Sequence, residues 1–365
     1  MKQDIPLTAN EKYIFSLRSL YESYGYTLYK MSKFEEYDLY SKNKDFLVSD
    51  GVITFTDTSG KLLALKPDVT LSIIKNTAGS HSSVQKLHYN ENVYRVSKNT
   101  HEFRELMQVG LECIGDIDDM CLYEVLELSS KSLKCISEHC VLDVSDIGIL
   151  LKLLDYTGIP EDEKKDALRC IGEKNMHELA SKCRALGIED AKTDKLIGII
   201  KLHGSPRITV EKIRRETAGI IDTSQTEEFF EIVSALENSG NNVNIDFSLV
   251  EDINYYNGLI FKGFIEGIPN SVLSGGQYDT LMKKMKRTER AVGFAVYLDM
   301  LEQLNKNEEK FDADTIMVYN DKLAFTEIEA AADKLRQDGK SVFVTKEIPQ
   351  GIRYRTVIDL RNGEV

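Results

Sequence analysis

Hydrophobic and polar residues recur with two different periods along this chain, and the switches between them mark its elements. Ile14, Leu17, Leu20 and Tyr21 fall at helical spacing. Thr8-Ala9-Asn10-Glu11 just before them is a capping box, in which the threonine hydroxyl accepts from a first-turn amide and the glutamate reaches back. A helix is therefore expected up to about Gly25. A short β-type run, Tyr26 to Met31, follows, and then one or two helical turns over Phe34 to Tyr40. Val52 to Asp57 and Leu62 to Leu65 read as strands around the turn Thr58-Ser59-Gly60-Lys61. Pro67 keeps its predecessor extended. Asp68 suits the N-cap of a helix carrying Leu71, Ile73 and Ile74, and capping alone and contact with a ligand are both open for Asp68 and Thr70 at this point.

Lys86 to Tyr94 reads as a strand, Val96 to Glu102 as a polar loop and Phe103 to Gly115 as the returning strand. Successive side chains of a strand point to opposite faces. Leu106, Gln108, Gly110 and Glu112 then share one face, with Met107, Val109, Leu111 and Cys113 on the other. Gln108 and Glu112 stand about 13 Å apart at ~3.3 Å per residue. A carboxylate and an amide on one side need solvent, an ion pair or a ligand. The alternation leaves all three open.

Met120 to Glu138 is expected to be a helix and Val141 to Ser145 a strand. From Ile147 to about Asp222 helical patterns dominate, broken at Gly158-Ile159-Pro160 and Gly204-Ser205-Pro206. Glu227 to Leu236 is a further helix and Val243 to Val250 a strand. Between Leu249 and Asp279 a tyrosine pair precedes Asn257-Gly258, an apolar run Leu259-Ile260-Phe261 and a glycine pair at Gly275-Gly276. This reads as two antiparallel strands with a tight turn. Tyr255, Tyr256 and Tyr278 either pack its edge or line a pocket with their hydroxyls. Leu281 to Lys286 is helical, and the apolar Ala291 to Val296 leads into a helix at Tyr297 to Leu301. The last sixty residues form a small α/β unit. Its strands are Thr315 to Tyr319, Val342 to Thr345 and Val357 to Leu360, with Phe325, Ile328, Ala332 and Leu335 on one helix face.

The 365 residues suffice for about two to three domains. The net charge of −13 makes the whole chain a poor nucleic-acid binder, because phosphate affinity comes from Lys and Arg. The C-terminal unit, residues 306–365, has ten basic and twelve acidic side chains and is not basic either. The six cysteines form no C-x-x-C pair and none has histidines at metal spacing, so reduced thiols in a cytoplasmic protein are expected, with no metal. The opening MKQDIPLTANEKY contains no apolar run, so no signal peptide is expected. No stretch reaches the ~20 apolar residues of a membrane span.

Four separated segments together resemble the catalytic core of class II aminoacyl-tRNA synthetases, and within that class histidyl-tRNA synthetase. They are Leu65-Lys66-Pro67-Asp68-Val69-Thr70; the hairpin from Leu87 through Arg95 to Gln108-Val109-Gly110-Leu111-Glu112; Asn254-Tyr255-Tyr256-Asn257-Gly258 with Gly275-Gly276-Gln277-Tyr278-Asp279; and Ala291-Val292-Gly293-Phe294-Ala295 running to Leu301. Order and spacing agree over about residues 1 to 305. The resemblance implies an α+β fold with an antiparallel sheet flanked by helices. It implies a synthetase-like core at residues 1–146 and 223–305, a helical insertion at 147–222, a short C-terminal unit at 306–365, and a homodimer through the N-terminal region. It also implies a pocket for L-histidine. Asp68, Thr70 and Gln108 would hold the amino group, and Glu112, Tyr256 and Tyr278 would surround the imidazole, with Tyr255 beside them. An imidazole carries one donor and one acceptor, which a carboxylate plus a phenol hydroxyl can satisfy.

Three positions depart from the synthetase pattern. Glu251 stands where the resemblance implies an arginine, Met300 where it implies the motif-3 arginine, and Ser97 where it implies an acidic residue; Arg95 remains. Amino-acid activation puts charge on the ATP α-phosphate, and losing one stabilising donor typically costs about 3–4 kcal/mol. A synthetase fold with a histidine pocket but without adenylation or tRNA binding resembles the regulatory subunit of short-form ATP phosphoribosyltransferase. That family implies no catalytic residue and no cofactor, a catalytic-subunit partner within a hetero-oligomer, and allosteric control by histidine. Arg95 or backbone amides are the candidates for the ligand carboxylate. A divergent histidyl-tRNA synthetase and a free-standing histidine sensor are the alternatives.

Overall fold

A computed structural model describes residues 7–47, 51–77, 84–97, 100, 102–221, 223–250, 255–304 and 311–362. The chain forms two compact units, Met1–Leu304 and Asn305–Val365. The large unit is built on a nine-stranded sheet. Its strands in chain order are β1 (Thr27–Leu28), β2 (Gln85–Val96), β3 (Phe103–Gly115), β4 (Cys140–Asp146), β5 (His203–Gly204), β6 (Val243–Asp246), β7 (Leu259–Ile265), β8 (Leu273–Gln277) and β9 (Arg290–Tyr297). Across the sheet they run β1-β2-β3-β9-β8-β7-β4-β6-β5. The central run from β2 to β4 is antiparallel throughout, while β1 joins β2 and β6 joins β4 in parallel.

One face of the sheet is covered by α1 (Ala9–Ser23) and α3 (Asp119–Lys134), with α2 (Val69–Asn76) lying between them in the chain. The Thr8 capping box starts α1. Leu122, Val125, Leu126 and Leu133 of α3 are buried in the large core together with Val109, Leu111 and Cys113 of β3. Burying each such aliphatic side chain is worth about 1.5–3 kcal/mol. The contact between α3 and β7 is close. A Cβ at Gly263 would come within 2.7 Å of the Leu133 methyl carbons. Helices Ile147–Thr157, Glu161–Gly172, Met176–Ala185, Asp190–Ile200 and Pro206–Thr217 make up the segment of dominant helical pattern. Gly158 ends the first of these in a left-handed conformation at φ 88°.

Several elements differ from the sequence reading. Phe34–Glu36 is a strand paired to Leu62–Leu65, and only Tyr37–Ser41 is helical. The open edge of the neighbouring hairpin outweighs a helical pattern of so few residues. The strand from Val243 stops at Asp246, whose Oδ1 accepts from the Ser248 amide at 2.8 Å and hydroxyl at 2.6 Å, turning the chain. Asn257-Gly258 is not a hairpin turn. The hairpin is formed by β7 and β8 and closes at residues 266–272. Residues 251–254 of that stretch, including Glu251, which departs from the arginine implied there, lie outside the described residues.

The small unit has a parallel sheet of Ala313–Val318 between Val342–Thr345 and Tyr354–Asp359, covered by the helix Phe325–Gln337. Ile328 and Ala332 are buried with Met317 and Leu360. Phe325, expected on the same face, is 85 % exposed because it begins the helix and projects past the sheet's cover. Among the described residues no helix is long and apolar enough to cross a membrane.

Candidate ligand-binding site

The β2/β3 hairpin and β9 and β8 beside it carry an almost bare patch of sheet. Gly276, Gly293 and Glu112 lie in one row across β8, β9 and β3. In the next row Ser274, Ala295 and Gly110 run to Tyr89 of β2. Small residues let larger side chains lie flat on the backbone. A Cβ on Gly110 would meet the Tyr89 hydroxyl at 2.5 Å, and one on Gly276 would meet the Tyr256 ring at 2.5 Å.

Above this patch is a cavity of about 250 Å³. That is below the ~300–1,000 Å³ of sites for drug-sized ligands and suits a ligand of amino-acid size. Asp68, Thr70, Arg95 and Gln108 line it, as do Glu112, Tyr255, Tyr256 and Tyr278, so all eight residues singled out from the sequence meet at one place.

Asp68 is the N-cap of α2, its Oδ1 accepting from the Leu71 amide at 2.8 Å. Burial raises its carboxyl above the ordinary value, while the Leu71 amide and the Arg95 guanidinium oppose the rise. Thr70, two residues on, donates its hydroxyl to Glu112 Oε1 at 2.7 Å. The Tyr278 hydroxyl donates to Glu112 Oε2. Glu112 is 2 % exposed. Burial pushes its carboxyl up to about 8 against those two hydroxyls, with the nearby Asp68 charge adding to the rise. Arg95 is tied by its Nε to the Pro67 carbonyl at 3.0 Å, which holds the guanidinium beside Asp68. Tyr255 packs edge-on to Tyr256 and tilted to Tyr278, with ring centroids 4.9 and 5.9 Å away. The Gln108 side chain is buried in the cavity wall. Gln108 and Glu112 are not on a solvated face.

The sequence reading missed part of the lining. Asp45 and Phe46 come from the short turn Lys44–Phe46, where Lys284 pairs with Asp45 at 3.0 Å and sits 4.7 Å over the Phe46 ring. No local pattern marks that turn. Tyr89 was detectable in principle. Once β2 is paired to β3, it falls opposite Gly110, on the face of Gln108 and Glu112.

Among the described residues the cavity lining includes no cysteine or histidine. Elsewhere, Asp143, His203 and Asp246 bring their ligand atoms within 4.8 Å of one another, and the Lys174 ammonium already stands 3.2 Å from Asp246. The six cysteines are free thiols.

Residues 7–301 match the family model described as histidyl-tRNA synthetase. The chain belongs to that family. Members bearing another name are also similar to it. The ATP phosphoribosyltransferase regulatory subunit of Oceanobacillus iheyensis is 28% identical over 79% of this chain and 72% of its own. The protein of the same name from Clostridium kluyveri is 28% identical over 88% of this chain and 85% of its own. A crystal structure described as an ATP phosphoribosyltransferase regulatory subunit/histidyl-tRNA synthetase from Bacillus halodurans superposes with a TM-score of 0.77 at 25% identity, covering 100% of this chain and 97% of that one. The fold is thus the class II histidyl-tRNA synthetase-like α+β fold, and the eight cavity residues sit on its central antiparallel strands and on the segments that pack over them.

Proposed function

We propose that this chain is a non-catalytic, histidine-binding regulatory subunit that assembles with the catalytic subunit of a short-form ATP phosphoribosyltransferase and mediates feedback control of the first step of histidine biosynthesis. The cavity carries the proposal. Asp68 and Gln108 stand ready for an ammonium and Glu112 for an imidazole, in a space of amino-acid size. The cations that activation chemistry needs at a phosphate are few here. Arg95 is the cation lining the cavity among the described residues, and Met300 is half-buried against the large apolar core. The similar regulatory subunits support the same reading. A homodimer within a hetero-oligomer, a cytoplasmic location and the absence of tRNA and membrane binding go with it.

Isothermal titration with histidine and, separately, ATP tests the site. Binding of histidine without adenylation is expected, and a flat histidine titration rejects the pocket assignment. Mixing with a phosphoribosyltransferase catalytic subunit tests the role. Co-purification and histidine-inhibitable activity of the mixture are expected, and failure of both leaves a free-standing sensor. A divergent histidyl-tRNA synthetase is the second reading, favoured by the family match over residues 7–301. Histidine-dependent ATP–pyrophosphate exchange would establish it. No exchange with histidine binding retained would dismiss it.

A further inference from the structure

Helix α2 presents Asp68 and Thr70 to the cavity from its N-terminal end, and it is only eight residues long. A helix this short does not hold itself in place; its position comes from packing and from partners for its free end groups. Leu71, Ile73 and Ile74 are buried and supply the packing. Glu35, on the strand Phe34–Glu36, grips the helix through Ser72, Lys75 and Asn76 at 2.7–3.0 Å. Those bonds tie α2 to that strand. They do not tie it to the segment of Tyr278, whose hydroxyl has to meet the Thr70 hydroxyl at Glu112.

That second tie is made at the other end of the helix. Tyr278 opens the short helix Asp279–Lys284, which Met285 closes. Lys286, at φ 60°, then turns the chain, its amide donating to the Lys283 carbonyl and the Arg287 amide to the Met282 carbonyl, both at 2.9 Å. A left-handed residue with this pair of bonds is a Schellman turn, built here on a lysine where glycine is usual. The turn delivers Arg287 to the C-terminal end of α2. Its Nη1 donates to the Ile74 carbonyl at 3.0 Å, the Thr77 carbonyl at 3.0 Å and the Thr77 hydroxyl at 2.8 Å. Carbonyls at a helix C-terminus have no amide partner within the helix, and a cation there also opposes the helix dipole. Nε and Nη2 of the same guanidinium donate to Glu289 at 3.5 and 3.0 Å, which fixes its plane. The Arg287 side chain is 12 % exposed. Neither Arg287 nor Glu289 is among the residues that line the cavity.

We propose that Arg287 is a positioning residue for the cavity: it does not touch the ligand, and it holds α2 at the depth at which Thr70 reaches Glu112 and Asp68 stands beside Arg95. The inference rests on the reading of this cavity as a histidine site and adds a residue outside it that sets its affinity. The bonds form a closed ring. It runs from Tyr278 to Glu112 and Thr70, along α2 to Ile74 and Thr77, across to Arg287, and back through Asp279–Lys284 to Tyr278. An O–H···O bond holds over only about 0.5 Å, whereas one residue of helix rise is about 1.5 Å. With the ring opened at Arg287, a slip of less than one residue takes Thr70 off Glu112. The Glu35 bonds and the buried side chains of α2 keep such a variant folded while its cavity wall is out of register.

Two readouts on the full chain test this: histidine affinity by calorimetry, and amide hydrogen exchange in α2 compared with β3. In Arg287→Ala, affinity should fall by about tenfold or more, the scale of losing a hydrogen bond to a charged group, and α2 amides should exchange faster while β3 amides exchange as in the parent. Arg287→Lys keeps a donor cation for the Ile74 and Thr77 oxygens and should recover most of both. Parent-like affinity in Arg287→Ala overturns the inference, and so does exchange accelerated equally in α2 and β3, which is a general loss of stability. Should Arg287→Ala fail to fold, Glu289→Gln frees the guanidinium from its anchor without altering α2; a selective rise in α2 exchange with weaker binding then supports the inference, and parent-like behaviour rejects it. A flat histidine titration of the parent removes the histidine reading alone, because α2 exchange in the variants still reports whether Arg287 holds that helix.

Discussion

Gly293 of β9 stands directly opposite Glu112 of β3, and a Cβ on it would lie 1.9 Å from Glu112 Oε2 and 2.5 Å from the Leu111 carbonyl oxygen. The carboxylate therefore rests on bare backbone. Gly293→Ala should push it off the Tyr278 and Thr70 hydroxyls and strain the sheet, at the ~1–3 kcal/mol typical of overpacking. Calorimetry should show histidine affinity down at least tenfold, and thermal melting should show a lower Tm. Wild-type affinity in this variant would mean that Glu112 does not need that seat.

Glu112→Ala removes the group at which the Thr70 and Tyr278 hydroxyls converge. Histidine affinity should weaken at least tenfold, which is about 1.4 kcal/mol or more. Unchanged affinity by calorimetry would count against the pocket assignment.

Burial keeps the Glu112 proton on the folded chain up to about pH 8, whereas the ordinary value for a glutamic acid is 4.5. Between those two values the folded state binds more protons than the unfolded state, so this group's contribution to stability is full below about pH 4.5, is lost as pH rises, and is gone above about pH 8. Glu112→Gln removes the dependence. In denaturant titrations at pH 5, 7 and 9 the parent should lose ground to the glutamine variant as pH rises. A parent-to-variant difference that stays constant over that range would contradict the raised value.

Asp68 does two things that substitution can separate. As N-cap of α2 it accepts from Leu71, and losing such a cap costs about 0.5–2 kcal/mol. Asparagine caps about as well but carries no charge. Asp68→Asn should therefore melt near the parent and lose histidine affinity, while Asp68→Ala should lose both. Equal melting of the two variants, followed by circular dichroism, would show that the cap contributes nothing measurable.

The parts of this molecule that can be read from its sequence are those specified locally. Phe103 to Gly115 is one strand in the structure because its alternation is long and unbroken, and that alone put Gln108 and Glu112 on one side. The caps at Thr8 and Asp68 follow from side chains reaching amides three residues away. The lining supplied by Asp45 and Phe46 depends on where a short turn lands in space, which no periodicity encodes. The strand Phe34–Glu36 depends on a neighbour's free edge. The direction of the Thr70 hydroxyl is likewise a tertiary outcome, since a threonine in a first helical turn could equally have bonded to its own backbone.

Glu112 is bridged to Thr70, 42 residues earlier, and to Tyr278, 166 residues later. Those two bonds exist only when α2, the β2/β3 hairpin and the end of β8 have all come together, so a partly assembled chain has no corner for a ligand to enter. Occupancy of the cavity is then a readout of complete assembly. A ligand that recognises only this state adds RT ln(1 + [L]/Kd) to its stability, and in a urea titration it should displace the midpoint without altering the slope.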